Sequence, residues 1–144
     1  MNADTIFSLS GMLALAGWLS LLASPFMPRL ADRIAGLVVP ALLAVAYTGL
    51  VLAFWSSAKG GFDSLDNVAA LFQTHELLLA GWIHYLAFDL VTGAWIVSAA
   101  RQAAIPFWLA VPCLVFTFLF GPAGFLAFVA VRAARNPALA VTTA

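Results

Sequence analysis

Three stretches of this chain contain no charged side chain at all: Ile6 to Ala23, Ile34 to Trp55 and Phe107 to Val131. A fourth, His75 to Ala100, is interrupted only by His75, Glu76, His84 and Asp89. A helix that crosses a bilayer needs about 20 mostly apolar residues, and each run meets or approaches that length. Soluble domains carry about 25% charged residues, whereas this chain has 8% and a mean hydropathy of +1.06. The reading is an all-α integral membrane protein, residues 1–144 forming a single domain. It is a compact bundle of four transmembrane helices, with spans near 6–23, 34–55, 75–100 and 107–131. The lipid bilayer is its first partner. Net charge is zero, so no basic field points to nucleic acid. The alanine-rich composition has a bacterial cast, and a multi-pass place in a bacterial inner membrane is expected.

The loops follow from punctuation and charge. Asp4 and Thr5 are candidate caps for the first span. No Lys or Arg precedes Arg29, so the first run lacks the basic start of a signal peptide and is read as retained. Pro25 and Pro28 with Arg29, Asp32 and Arg33 mark a break. Residues 56–74 form an interfacial loop with a short helix, capped by Asp66 and running through Gln73. Thr74 is a candidate cap for the third span. Gly121-Pro122 removes backbone hydrogen bonds inside the fourth run and predicts a kinked helix there. Residues 136–144 read as a mobile tail. Four spans would put both termini on one side. The basic residues then divide evenly, Lys59, Arg132 and Arg135 against Arg29, Arg33 and Arg101, and the positive-inside rule does not choose. The acids Asp4, Asp63 and Asp66 lean the termini outward.

The chemistry concentrates in the third span. An ionisable residue within a membrane span costs a few kcal/mol on insertion scales, and its default reading is functional. The alternative is a polar group that only ties helices together. On a helical wheel Trp82, Tyr85, Asp89, Gly93 and Ile96 share one face. His84, Phe88, Val91 and Trp95 share another. Asp89 lies about 140° around from His84 and roughly 7.5 Å along the axis, so the two need not touch. Tyr85 is one turn from Asp89, within hydrogen-bonding range, and Gly93 leaves room on the other side for a ligand or a backbone. Desolvation favours the neutral carboxyl, and a neutral Asp89 is a candidate general acid. His75 and Glu76 suit the headgroup zone, and Cys113 reads as a small core hydrophobe. No metal site, phosphate loop or nucleophile elbow is present, and no cofactor is expected.

The run Gly81-Trp82-Ile83-His84-Tyr85-Leu86-Ala87-Phe88-Asp89-Leu90, with Gly93 and Trp95, then Val111-Pro112-Cys113-Leu114 and Phe120-Gly121-Pro122-Ala123-Gly124-Phe125-Leu126, resembles the neoxanthin-synthase-like membrane family of plants, algae and bacteria. The resemblance spans the four-run layout and is most specific from Leu79 to Leu126. It departs at Ala94, where the family tends to carry arginine, and at Gly124-Phe125, where a glycine-leucine pair is usual. The resemblance implies a carotenoid, or another long apolar polyene, as partner. It also implies an isomerisation of an epoxycarotenoid to an allenic one, without net redox change. Such a reaction needs an acid at the epoxide oxygen and a base at the adjoining polyene carbon. Asp89 and His84 are the candidates, in either order, with Tyr85 as relay. Trp82, Phe88, Gly93, Trp95, Glu76 and Arg101 are the candidate substrate contacts, Arg101 standing in for the absent arginine. The competing readings are a non-catalytic carotenoid- or lipid-binding membrane partner and a small proton-coupled transporter subunit. Four helices enclose little volume, which points to a homo-oligomer.

Overall fold

A computed structural model describes residues 2–135; the expected tail, 136–144, lies outside the described residues. The described chain is all helical, without strands. In order the helices are α1 (Ala3–Leu22), α2 (Pro28–Arg33), α3 (Val39–Phe54), α4 (Leu65–Leu71), α5 (His75–Gln102), α6 (Phe107–Phe120) and α7 (Pro122–Arg135). A π-type stretch, Ile34–Val38, joins α2 to α3 without interruption, and a 3-10 turn, Trp55–Ser57, closes α3. Three helical units are long and apolar enough to cross a membrane: Ala3–Leu22, Pro28–Ser57 and His75–Gln102. Large apolar side chains on their outer faces are exposed, Val45, Leu52 and Leu19 among them. Water would not tolerate such a surface and lipid does.

The ends of these helices correct several expected boundaries. Asn2, not Asp4 or Thr5, caps α1, its Oδ1 accepting from the Thr5 N–H at 2.9 Å. Pro28 does not prolong the break but opens a helix from its first position, where a proline lacks no bond. Arg29 and Arg33 therefore ride on the first turns of the second span. Ser64, not Asp66, caps α4, accepting from the Asn67 N–H at 3.2 Å.

α5 is the central post, and its partners wrap it in a consistent register. α1 runs parallel to it, with Phe7 on Trp82, Gly17 on Leu90 and Trp18 on Gly93. α3 runs antiparallel, with Gly36 beside Ala94 and Tyr47 beside His84. The Asp32–Arg101 ion pair, 2.6 Å between Oδ2 and a guanidinium nitrogen, ties the same two segments at their far end. Small residues at Gly17, Gly36 and Gly93 let side chains of the neighbouring helix approach the backbone closely.

The fourth apolar run is not one kinked helix. It is two 14-residue helices separated at Gly121. Each is roughly 21 Å long, short of a hydrocarbon core of about 30 Å. Gly121 has φ 48° and ψ −100°, a conformation near the mirror image of the extended region that only glycine enters readily. The chain reverses there. Gly124 comes back against Cys113 and Thr117, so close that a Cβ at 124 would lie 2.5 Å from the Cys113 carbonyl oxygen. Thr117 turns its hydroxyl onto that same carbonyl at 2.8 Å. α7 then descends beside α5, with Phe125 and Phe128 on Trp95 at ring separations of 5.3 and 5.6 Å. Phe128 is fully buried.

Candidate functional site

The elbow at Gly121 meets α5 at Asp89. Asp89 stands halfway along α5, about 21 Å from its start at 1.5 Å per residue. Its side chain is only 8% exposed. A Cβ at position 121 would lie 2.6 Å from Asp89 Oδ1, so the glycine makes the space in which the carboxyl sits. Asp89 Oδ2 is buried and has no hydrogen-bond partner. An unsatisfied carboxyl oxygen in such surroundings is costly.

Tyr85, one turn earlier, reaches the same elbow. Its hydroxyl donates to the Leu119 carbonyl at 3.2 Å, one of the carbonyls that the end of α6 leaves without a helical partner. The hydroxyl is also near enough to the Asp89 carboxyl to interact with it. It has a single proton to donate, and the Leu119 carbonyl takes it. Pro122 has no N–H, and it opens α7 at the first position, where one would be orphaned in any case. These contacts of the elbow's backbone are made without Asp89 Oδ2.

The other candidates fall into separate places. His84 projects away from Asp89 toward α3, its ring 5.7 Å from Tyr47 and 4.6 Å from Phe88. It lines an open pocket of 260 Å³ with Tyr47, Trp55, Phe62, Phe72 and Gly81, partly roofed by α4. Trp82 stacks on Tyr85 at 5.4 Å and faces Phe7, lining a second cavity of 390 Å³ near His75 and Asp4. Phe88 is 62% exposed on the outer surface. Trp95 lies against α7 as described. The space beside Gly93 is filled by the Trp18 ring, to which a Cβ at 93 would come within 2.8 Å. Glu76 is in the first turn of α5 and Arg101 in its last, each about 18–20 Å from Asp89 along the axis. Arg101 is engaged with Asp32. The structure thus joins Asp89 with Tyr85 and adds Gly121 and Leu119; it does not bring His84, Glu76 or Arg101 to them. Among the described residues no three His, Cys, Asp or Glu side chains gather as a metal would need.

A groove with wholly apolar walls runs between α1 and α6. Leu15, Trp18, Leu19, Leu22, Leu114, Val115 and Phe118 line its 160 Å³. Trp18, which packs on Gly93, and Phe118, about one turn before Gly121, meet edge to face at its wall. The profile of the ABA DEFICIENT 4-like family matches residues 5–128, from the first turn of α1 to the buried Phe128 of α7. The chain belongs to the ABA DEFICIENT 4-like family. No curated protein and no solved structure matches it. The family match covers α5, the elbow and all of α6, so Asp89, Tyr85 and Gly121 all lie inside the region characteristic of an ABA DEFICIENT 4-like protein.

Proposed function

We propose that this protein acts on a carotenoid or a related isoprenoid within the membrane, with the Asp89 carboxyl as its acid–base group. The observation that carries the proposal is the buried, unpartnered Oδ2 of Asp89, held at the middle of the longest helix against a glycine elbow. Family membership connects the chain with neoxanthin synthesis, and the apolar groove beside α6 suits a segment of a polyene. The reaction that this chemistry fits is epoxide-to-allene isomerisation. Asp89 donates its proton to the epoxide oxygen, and the carbon–oxygen bond opens to a hydroxyl. A proton then leaves the adjoining polyene carbon, and its bonding pair becomes the second double bond of the allene. Nothing is oxidised or reduced. A carboxylic acid can give a proton from one oxygen and receive one at the other, so acid and base need not be two residues. In this reading Tyr85 positions the carboxyl and His84 serves a different surface. The open grooves hold only part of a long polyene, so the rest of the substrate lies along the outer apolar faces or between copies of a homo-oligomer in a bacterial inner membrane.

The test uses purified protein in lipid nanodiscs with an epoxycarotenoid, following chromatography and absorption. The wild type should yield an isomer of unchanged mass, and Asp89→Asn should lose about 10²-fold or more, the scale of general acid–base catalysis. Turnover by Asp89→Asn equal to the wild type sinks the proposal. A second reading draws on the same elbow: helices broken at mid-membrane are used by transporters to build ion sites. It predicts proton-driven flux in liposomes that Asp89→Asn stops.

A further inference from the structure

Five of the six lysine and arginine residues lie at one end of the molecule, two of them carried there by the reversal at Gly121. Arg29 and Arg33 lie on α2, which follows the lower end of α1. Arg101 is in the last turn of α5 and is paired with Asp32. Arg132 and Arg135 are in the last turns of α7. Their level follows from the register of α7 on α5. Gly121 stands at Asp89, and Phe125 and Phe128 stand at Trp95. Continued at the same offset, Arg132 comes level with Ala100 and Arg135 with Ala103. Had the fourth run crossed the membrane, these two would have been at the opposite end.

The other end holds the α1 N-terminus, the loop after α3 and α4. Its residues include Asp4, Lys59, Asp63, Asp66 and Glu76, with Lys59 the single basic side chain. Loops rich in Lys and Arg stay on the cytoplasmic side of membranes, and anionic headgroups attract arginines near that surface.

We propose that the arginine-bearing end is the cytoplasmic face, that α6 and α7 form a re-entrant hairpin entering from it, and that its arginines bind anionic lipid headgroups. The chain then crosses the membrane three times and dips once, with its N-terminus outside. The hairpin carries its elbow to the middle of the bilayer, where irregular backbone is tolerated if protein covers it; Gly121, the residue that leaves the helical conformation, is buried against Asp89 of α5. The inference is independent of the reaction proposed above, and its tests do not use activity.

Single cysteines at Asn2→Cys, Ser56→Cys, Gln102→Cys and Ala134→Cys, treated with a membrane-impermeant maleimide on intact bacterial cells, decide the topology. The native Cys113 is buried and serves as the blank. Asn2→Cys and Ser56→Cys should label in intact cells, and Gln102→Cys and Ala134→Cys only after permeabilisation. Ala134→Cys labelling from the same side as Asn2→Cys makes the fourth run a full crossing and overturns the hairpin. Labelling of Gln102→Cys in intact cells reverses the orientation and overturns it as well. For the lipid contact, the wild type is reconstituted in phosphatidylcholine vesicles with and without phosphatidylglycerol. Its unfolding temperature should rise with the anionic fraction, and that rise should vanish in the fourfold variant Arg29→Gln, Arg33→Gln, Arg132→Gln, Arg135→Gln. A wild type indifferent to phosphatidylglycerol overturns the headgroup assignment.

Discussion

Replacing Gly121 by alanine puts both the reversal and the carboxyl under strain, and the structure separates the two costs. The first is conformational. With φ at 48° and ψ at −100°, an L-residue is held where its Cβ crowds the backbone, a cost of about 1–2 kcal/mol on the scale known for left-handed conformations. The second is steric. The added Cβ would lie 2.6 Å from Asp89 Oδ1 and 3.3 Å from its Cγ and Oδ2, well inside contact distance. Asp89 belongs to a helix packed on three sides, so it cannot retreat freely, and overpacking of this kind costs about 1–3 kcal/mol. Gly121→Ala should therefore destabilise the protein by roughly 2–5 kcal/mol, measured by reversible denaturant titration of helicity in mixed micelles. The two costs can be told apart by a double-mutant cycle. Asp89→Ala removes the atoms that the new Cβ meets, so in that background Gly121→Ala should cost only the conformational share, about 1–2 kcal/mol. A Gly121→Ala protein as stable as wild type, or costs that simply add in the double variant, would refute the claim that this glycine makes room for the carboxyl.

Tyr85→Phe deletes the hydroxyl that serves the Leu119 carbonyl; stability should fall by about 1 kcal/mol, and turnover should fall less than in Asp89→Asn. Gly93→Ala drives a methyl into the Trp18 ring and Leu21, at about 1–3 kcal/mol, and Trp18→Leu in the same protein should restore part of that loss in the same titration. Arg101→Gln breaks an ion pair whose side chains are 38% and 44% exposed; such pairs contribute about 0–1 kcal/mol, so unfolding should move little and turnover not at all.

What the sequence revealed divides by the range of the interactions involved. The three long apolar helices are legible because each holds one uninterrupted apolar run, a property of the local chain alone, although the second begins at Pro28 rather than at Ile34. The separation of His84 from Asp89 is also local: two residues five apart on a helix are fixed by its pitch, and the structure indeed turns one toward Tyr47 and the other toward Gly121. The fourth run is different. A helix that crosses lipid and a hairpin that dips into it have the same composition, since both are surrounded by hydrocarbon or apolar side chains. Gly121-Pro122 marks a disruption in either case, and whether it bends or reverses the chain is decided by the contacts of Gly124 with Cys113 and Thr117. The room at Gly93 and the partner of Arg101 were hidden for the same reason. Trp18 lies 75 positions away in the chain and Asp32 lies 69 away, and no periodicity within α5 refers to either.

The elbow also bears on whether Asp89 is there only to hold helices together. A broken helix deep in a membrane leaves backbone groups that need partners, and a carboxyl retained as a clamp would be expected to engage both of its oxygens with them. Much of that need is met by other means. Tyr85 takes the Leu119 carbonyl, Thr117 supplies the carbonyl that accepts the Gly121 N–H at 2.8 Å, and Pro122 has no N–H to satisfy. Gly124 then closes back on the Gly121 carbonyl at 3.0 Å. Asp89 Oδ2 takes part in none of these contacts and is buried and unpaired. Replacing aspartate by alanine there would remove that liability, and if the residue were only a strut, Asp89→Ala would be neutral or stabilising with no other consequence. In the acid–base reading proposed above, that oxygen serves something that arrives from outside the chain, and the exposed apolar side chains of Leu119 and Phe120 at the elbow suit a molecule at home in lipid.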